Sequence, residues 1–216
     1  MSDVSVIIPC RNEAGSIRDV VSRVPDGMEC VVVDNGSDDD TAELARRAGA
    51  RVIAESRPGY GSAVTAGVLA ASGDVICTLD GDGSMDPGDL RSLLAPLAMD
   101  ADLVAGRRRP VGNTVWPIHA RAGSLGVAWY LRHRYGLPVH DIGPMRAIRR
   151  QVLIDLDVHD RRSGYPVELL LRAAQHRLRV TEVDVAYSAR TAGESKVSGS
   201  LRGSARAARD FVAVLS

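Results

Sequence analysis

Lysine is all but missing: Lys196 stands alone among 27 basic residues, and arginine supplies the rest. Such uniformity points to coding bias and makes the one retained ammonium conspicuous. Cysteine is scarce too. Cys10, Cys30 and Cys77 are the three in the chain, too few for a disulfide scaffold and spaced in no CxxC metal pair. Each lies in or beside an apolar run, which reads as a small buried hydrophobe in a reducing compartment. One Phe, two Trp and five Tyr leave the core to Val, Leu, Ile and Ala. Excess charge is absent: 27 acidic residues balance the 27 basic ones, which argues against a binder held to nucleic acid by a net basic footprint. No apolar stretch approaches bilayer length, and the first residues lack a signal peptide's basic and apolar blocks. A soluble, cytoplasmic protein is the expectation.

What is present is an ordinary globular composition. Of 216 residues, 45% are hydrophobic and 25% charged, enough for one sizeable core and short for two. Val4–Ile8 is a continuous apolar-leaning run ended by Pro9, consistent with a strand buried on both faces. Ile17, Val20, Val21 and Val24 then recur at helical spacing within 14–24. Strands are predicted at 30–33, 51–54, 75–79 and 103–105, with helices over 41–48, 61–71 and from Pro87 to about Met99. This alternation predicts an α/β fold, a mostly parallel sheet with helices on both faces. After Arg107 the rhythm changes. A surface loop is expected over 108–117, then helices over 118–134, 167–176 and 201–215, strands at 145–148 and 180–185, and a Gly/Ser loop at 193–199. One domain with two functional halves, 1–107 and 108–216, is the economical reading.

In open parallel sheets, ligands bind beyond the carboxyl ends of the strands. Three polar clusters fall there: Pro9-Cys10-Arg11-Asn12-Glu13, the run from Asp34 to Thr41, and Asp80-Gly81-Asp82. In an extended segment Asp80 and Asp82 leave the same face, and Gly81 allows close backbone approach. Two carboxylates so placed suit a hard divalent cation that keeps waters and shares a diphosphate. An Asp-Gly turn is the plain alternative; the convergence of three clusters on one rim outweighs it. Asp34-Asn35-Gly36-Ser37 offers an acceptor, an amide and a hydroxyl to a nucleobase edge or ribose, while Asp38, Asp39 and Asp40 cap the helix that follows. Arg57-Pro58-Gly59-Tyr60-Gly61 precedes an Ala-rich helix and reads equally as a plain loop or a nucleotide-side contact. Arg190 and Lys196 flank a Gly/Ser segment, where a compact ammonium suits phosphate pairing or has simply survived by chance.

Taken together, Pro9-x-x-Asn12-Glu13, Val33-Asp34-Asn35-Gly36-Ser37-x-Asp39-x-Thr41 and Asp80-x-Asp82 resemble the family 2 glycosyltransferases of the Rossmann-like GT-A fold. The second half resembles the dolichyl- or polyprenyl-phosphate mannose synthase branch through Ala105-Gly106-Arg107, Arg121 with Ser124, Asp141-Ile142-Gly143-Pro144-Met145-Arg146, Gly164-Tyr165-Pro166-Val167-Glu168 and Arg190-x-x-Gly193-x-Ser195-Lys196. The likeness runs from Val4 to about Gly203.

The resemblance implies inverting transfer of a hexose from a nucleotide-diphosphate sugar, GDP- or UDP-linked, to a phosphate-bearing acceptor such as polyprenyl phosphate. It implies a metal, Mg²⁺ or Mn²⁺, on Asp82, with Asp80 nearer the ribose and metal waters. Pro9, Asn12, Glu13, Asp34, Asn35, Gly36, Arg57, Gly61 and Gly81 would complete the donor side. Arg107, Arg121, Ser124, Arg146, Arg190, Ser195 and Lys196 would hold the acceptor and the phosphates. A growing negative charge on the leaving diphosphate is what the metal and cations would stabilise. A lipid phosphate is already anionic and needs no strong base, whereas a hydroxyl acceptor would need Asp141 or Glu168 to take a proton. Asn35 stands where the family usually has a second Asp, Ser84 where the lipid-phosphate mannosyltransferases often place Gln, and Arg57 where Asn is frequent. A lipid acceptor would be met peripherally at the inner face of the membrane, or through a membrane partner protein. The last helix reads as docking on its own domain, with an interfacial role as the alternative. Three other readings compete: a soluble glucosyl-3-phosphoglycerate synthase-like transferase, a sugar-1-phosphate nucleotidyltransferase, and a non-catalytic nucleotide-sugar module. The nucleotidyltransferase would carry a Gly-rich loop ending in Arg after the first strand, which Pro9–Glu13 is not.

Overall fold

A computed structural model describes residues 4–112, 116–191 and 201–215. In chain order the elements are β1 (Val4–Cys10), α1 (Ile17–Ser22), β2 (Met28–Asp34), α2 (Thr41–Arg47), β3 (Arg51–Ala54), α3 (Tyr60–Ala70), β4 (Val75–Thr78), α4 (Leu90–Met99, entered by a single 3₁₀ turn at Pro87–Asp89), β5 (Leu103–Pro110), α5 (Ile118–Tyr135), β6 (Arg146–Arg149), α6 (Arg150–Asp155), α7 (Tyr165–Gln175), β7 (Val180–Tyr187) and α8 (Leu201–Leu215). The strands form one seven-stranded sheet in the order β3-β2-β1-β4-β6-β5-β7. Every pairing is parallel except those of β6, which runs against β4 and β5.

Period-two alternation sorts the core into two layers. Val6, Ile8 and Val32 pack with Ile17, Val20 and Val21 of α1, Ala45 of α2 and Leu90, Leu93 and Leu97 of α4. Ile7, Val31 and Val33 face the other way, toward Ala63, Val64 and Val68 of α3, in a cluster that also holds Leu169 and Leu170 of α7. Val6, Ile7 and Ile8 are wholly buried, as expected of a central strand covered on both faces.

The sheet changes direction of growth at β1. Its partners are β2 on one side and β4 on the other, so the rim between β1 and β4 is the switch point where such sheets leave a crevice. Pro9 does not end β1. The strand runs on to Cys10, pairing Pro9 with Val33 of β2, while the ladder to β4 has ended at Ile7, so no β4 partner is waiting for the missing N–H. β5 likewise runs on to Pro110, because β7 pairs with it as far as Tyr187. The surface loop expected from residue 108 therefore begins later. α1 is shorter than its apolar spacing suggested, and α6 carried no signal strong enough to be assigned from the sequence.

Gly67 lets α3 lie directly on the sheet. A Cβ there would come within 2.3 Å of Ile7 Cγ2 and 3.0 Å of Val33 Cγ2. Gly67→Val should destabilise the fold by about 2–3 kcal/mol through overpacking. Gly126→Ala on α5, where nothing lies within 4 Å of the added Cβ, should be neutral or gain up to ~1 kcal/mol of helix propensity. Urea midpoints at unchanged slope report both; equal midpoints for the two variants would contradict the close approach of α3.

Candidate active site

The carboxyl ends of β1, β2 and β4 and the exit of β7 meet over one rim. Asp82, 3% exposed, sits in the turn after β4 with both carboxylate oxygens engaged. Oδ1 accepts the Ser84 N–H at 2.9 Å, and Oδ2 lies 2.9 Å from Arg190 Nη2. Two backbone bonds lace the β7 exit to this turn, Ser188 N–H to the Ser84 carbonyl and Thr191 N–H to the Asp82 carbonyl. Arg190 Nη1 is buried 3.6 Å from Glu13 Oε1 and makes no hydrogen bond. Burial and then the charge of Asp82 push the Asp80 carboxyl up to about 7.

Two cavities of about 520 Å³ each open on this rim, and Tyr60, Asp80, Asp82, Ser163 and Arg190 line both. They form one trough with a shared acidic wall. The first side is walled by Pro9, Cys10, Glu13, Asn35, Gly59 and Gly81. The second runs between α5 and α8, past Arg108, Trp116, Ser124, Ile142, Tyr187 and Phe211.

On the first side much of the motif chemistry goes into shaping the walls. Asn35 donates through Nδ2 to the carbonyls of Glu55 and Arg57 and accepts the Gly59 N–H on Oδ1, clamping the loop before α3. Asn12, at φ 56°, takes the left-handed conformation that Asn tolerates. It donates its N–H to Ser37 Oγ and accepts the Asp38 N–H. Asp34 accepts the Ser37 N–H and, with Asn12 and Gly36, braces the turn and is not among the lining residues. Asp39, not Asp40, caps α2 by accepting from Thr41 N. Arg57 is exposed, with its side chain off the walls. Gly61 serves packing: its N–H donates to the Arg162 carbonyl, and a Cβ would meet the Asp160 carbonyl oxygen at 2.2 Å. Gly81 similarly lets the turn lie on Cys10, whose Sγ would be 2.4 Å from a Cβ.

On the second side, strand alternation decides which arginine reaches the trough. Arg107 points to the β7 acids, 4.0 Å from Glu182 and 3.9 Å from Asp184, and not into the trough where it was expected. Its neighbour Arg108 takes that place. Arg108 donates to Asp141 through its backbone N–H, Nε and Nη2 at 3.0, 2.8 and 2.8 Å, with Cζ 4.0 Å from the Trp116 ring centroid. Ser124 Oγ and the Ile142 N–H also donate to Asp141. Burial alone would raise this carboxyl, but the Arg108 and Ser124 bonds hold it below the ordinary range. Asp141 thus accepts from Arg108, Ser124 and the Ile142 N–H together and holds Arg108 in place.

Glu168 lies off the trough. It accepts the His159 and Asp160 N–H groups and Arg172 Nε, which outweigh burial and lower its carboxyl. Arg121 is exposed and off the walls. Arg146 is 3% exposed, with Nε and Nη2 unpartnered, and does not line either cavity. Ser195 and Lys196 lie outside the described residues. Tyr60, part of the segment read as a possible nucleotide-side contact, lines both cavities, whereas Arg108, Trp116, Tyr187 and Phe211 were overlooked. One signal was available: in a chain this poor in aromatics, the sole Phe and several of the others gather at one place.

Residues 5–157 match the family described as Glycosyl transferase family 2. A protein named an uncharacterized glycosyltransferase in Mycobacterium tuberculosis is 57% identical over 213 residues, 99% of this chain and 98% of that one. The dolichyl-phosphate hexose transferase of Haloferax volcanii is 37% identical over 199 residues, covering 90% and 86%. Among solved structures, glucosyl-3-phosphoglycerate synthase from Mycobacterium tuberculosis, in complex with Mn²⁺, UDP and glucosyl-3-phosphoglycerate, matches with a TM-score of 0.77 at 26% identity. That match covers 99% of this chain and 78% of the other.

Breaking a buried ion pair from one side strands the other charge. Asp141→Ala should therefore cost about 3 kcal/mol, a fall in Tm of roughly 6–12 °C. Because the folded carboxyl is depressed, its contribution is complete above the unfolded carboxylate range and is lost as pH falls. The gap between variant and parent should accordingly shrink in acid. A variant as stable as the parent at pH 7 would contradict the positioning role.

Proposed function

The chain belongs to glycosyl transferase family 2 and is a glycosyltransferase, and from that premise we propose that it moves a sugar, with inversion, from a nucleoside-diphosphate donor to the phosphate of a polyprenyl phosphate. The observation that carries this reading is the shared wall. Asp80, Asp82 and Arg190 stand between a side framed by strand ends and a side lined by aromatics. A diphosphate lying along that wall would place its sugar toward the second cavity.

A hard divalent cation fits the donor set. The wall offers two carboxylates two residues apart, and among the described residues no third His, Cys, Asp or Glu side chain joins them in a group that could hold an ion. The protein would supply Asp82, with Asp80 beside it, and the diphosphate oxygens and water would complete the shell. Mn²⁺ accompanies UDP in the synthase structure. When bound, Mg²⁺ or Mn²⁺ supplies charge neutralisation for the departing diphosphate. Arg190 adds a cation on the same wall, and Arg108, its Cζ 4.0 Å from the Trp116 ring centroid, adds a second positive charge toward an acceptor phosphate.

The state of the acids supports an anionic acceptor. Asp141 and Glu168 are both committed to hydrogen bonds, so the nucleophile should need no base, as a phosphate oxygen does not. A lipid acceptor suits the second side, where Trp116, Ile142, Pro144 and Phe211 offer an apolar wall. Beside that mouth, α5 exposes Ile118, Leu125 and Trp129 at 87%, 47% and 56% and carries arginines but no acidic residue, the composition of a face that rests on anionic lipid. The likeness to glucosyl-3-phosphoglycerate synthase favours a second reading, a small phosphorylated acid as acceptor.

Incubation of the full chain with labelled GDP- or UDP-hexose, Mn²⁺ and polyprenyl phosphate in anionic vesicles separates the two. The expected product partitions into organic solvent and nucleoside diphosphate is released, with Asp82→Ala slower by about 100-fold or more. Trp129→Ser should lower the rate on vesicles and not in detergent. A water-soluble product from phosphoglycerate would replace the lipid reading, and full activity in Asp82→Ala would overturn the site.

A further inference from the structure

The trough holds two arginine–aspartate pairs of unlike construction. Arg108 and Asp141 are joined through three donors of one residue and saturated by Ser124 and the Ile142 N–H. Arg190 holds Asp82 through Nη2 alone. Its other terminal nitrogen, Nη1, is buried without a hydrogen bond although Glu13 Oε1 is 3.6 Å away. A buried charged donor without a hydrogen bond is costly. The first pair is a fixture. The second is half made, and a better anion would complete it.

We infer that Arg190 and the divalent cation compete for the same oxygen, Asp82 Oδ2, so that Arg190 enforces joint binding of metal and nucleoside diphosphate. This inference rests on the metal-dependent reading given above. A cation approaching Asp82 by itself must displace a guanidinium whose other near carboxylate, Glu13, stands beyond hydrogen-bond distance at 3.6 Å. When a diphosphate arrives with it, Arg190 gains an anion to which both of its terminal nitrogens can donate, and Asp82 passes to the metal. The backbone need not move, because the Ser188 and Thr191 N–H groups keep the β7 exit on the Asp82 turn while the side chain turns. Coupling of this kind is reciprocal: whatever factor the diphosphate adds to metal affinity, the metal adds to diphosphate affinity. The functional consequence is an enzyme that does not hold its metal tightly without donor.

The test measures Mn²⁺ binding to the full chain by the loss of free-ion EPR signal, with and without UDP or GDP. In the parent, Mn²⁺ alone should bind weakly and nucleoside diphosphate should strengthen it. In Arg190→Ala, Mn²⁺ alone should bind roughly tenfold or more tightly than in the parent, as loss of one charged hydrogen bond allows. The gain from adding nucleotide should shrink. Arg190→Gln, which keeps one donor without the charge, should behave likewise and serves if the alanine variant fails to fold. Mn²⁺ affinity that is unchanged or weaker in the folded variants would overturn the inference while leaving the metal site standing. Failure of Mn²⁺ to bind the parent even with nucleotide would overturn both.

Discussion

A carboxylate sunk at the edge of a sheet must find positive charge, because the surroundings that hide it from water also deny it solvation. This rim buries Asp82 and Asp141 to 3% exposure and sets Asp80 beside them. Arg108 and Arg190 answer that demand, each delivered from the exit of a strand, β5 and β7, that lies well away from β4 in sequence. The fold's parallel wiring makes this possible: all strands but β6 point their carboxyl ends to one edge, so loops remote in sequence must share a small volume. β6 runs the other way, and so brings the start of its strand, with Asp141 just before it, to the same place.

The supporting residues show how much of a motif is spent on holding itself in shape. Asn35 spends its amide on the loop before α3, Asn12 and Asp34 on the turn that follows β2, and Asp39 on the start of α2. These bonds fix the wall that Pro9, Glu13, Asn35 and Gly59 present. Gly61 and Gly81 act in the same way, as places where backbone lies on a neighbour. A polar cluster at a strand end is thus partly architecture, and the site is the smaller set that faces the cavity.

That division explains what the sequence could disclose. The sheet was legible because β-branched runs alternated with amphipathic helices, and the Asp80-x-Asp82 pair was legible because a two-residue spacing at a strand end fixes its direction. Direction failed elsewhere for lack of an end point. Once β5 is known to run on to Pro110, alternation turns Arg107 toward Glu182 and Arg108 into the trough; a strand taken to stop at Ala105 predicts neither. Asp141 and Glu168 looked like bases because the family resemblance runs through both, and only their partners reveal that both are already bonded. Trp116 and Phe211 belong to no acidic motif, and the segment before α5 and the helix α8 bring them to the wall by tertiary packing alone.

The central claim is that one acidic wall between two cavities seats the diphosphate of a sugar donor. Crystals of the full chain grown with Mn²⁺ and a nucleoside diphosphate, with anomalous data collected at the manganese edge, test it directly. The account expects a single strong peak against Asp82, the diphosphate between that peak and Arg190, and the base on the side of Pro9 and Asn35. Nucleotide bound away from the trough, or manganese found only at surface carboxylates, would contradict it.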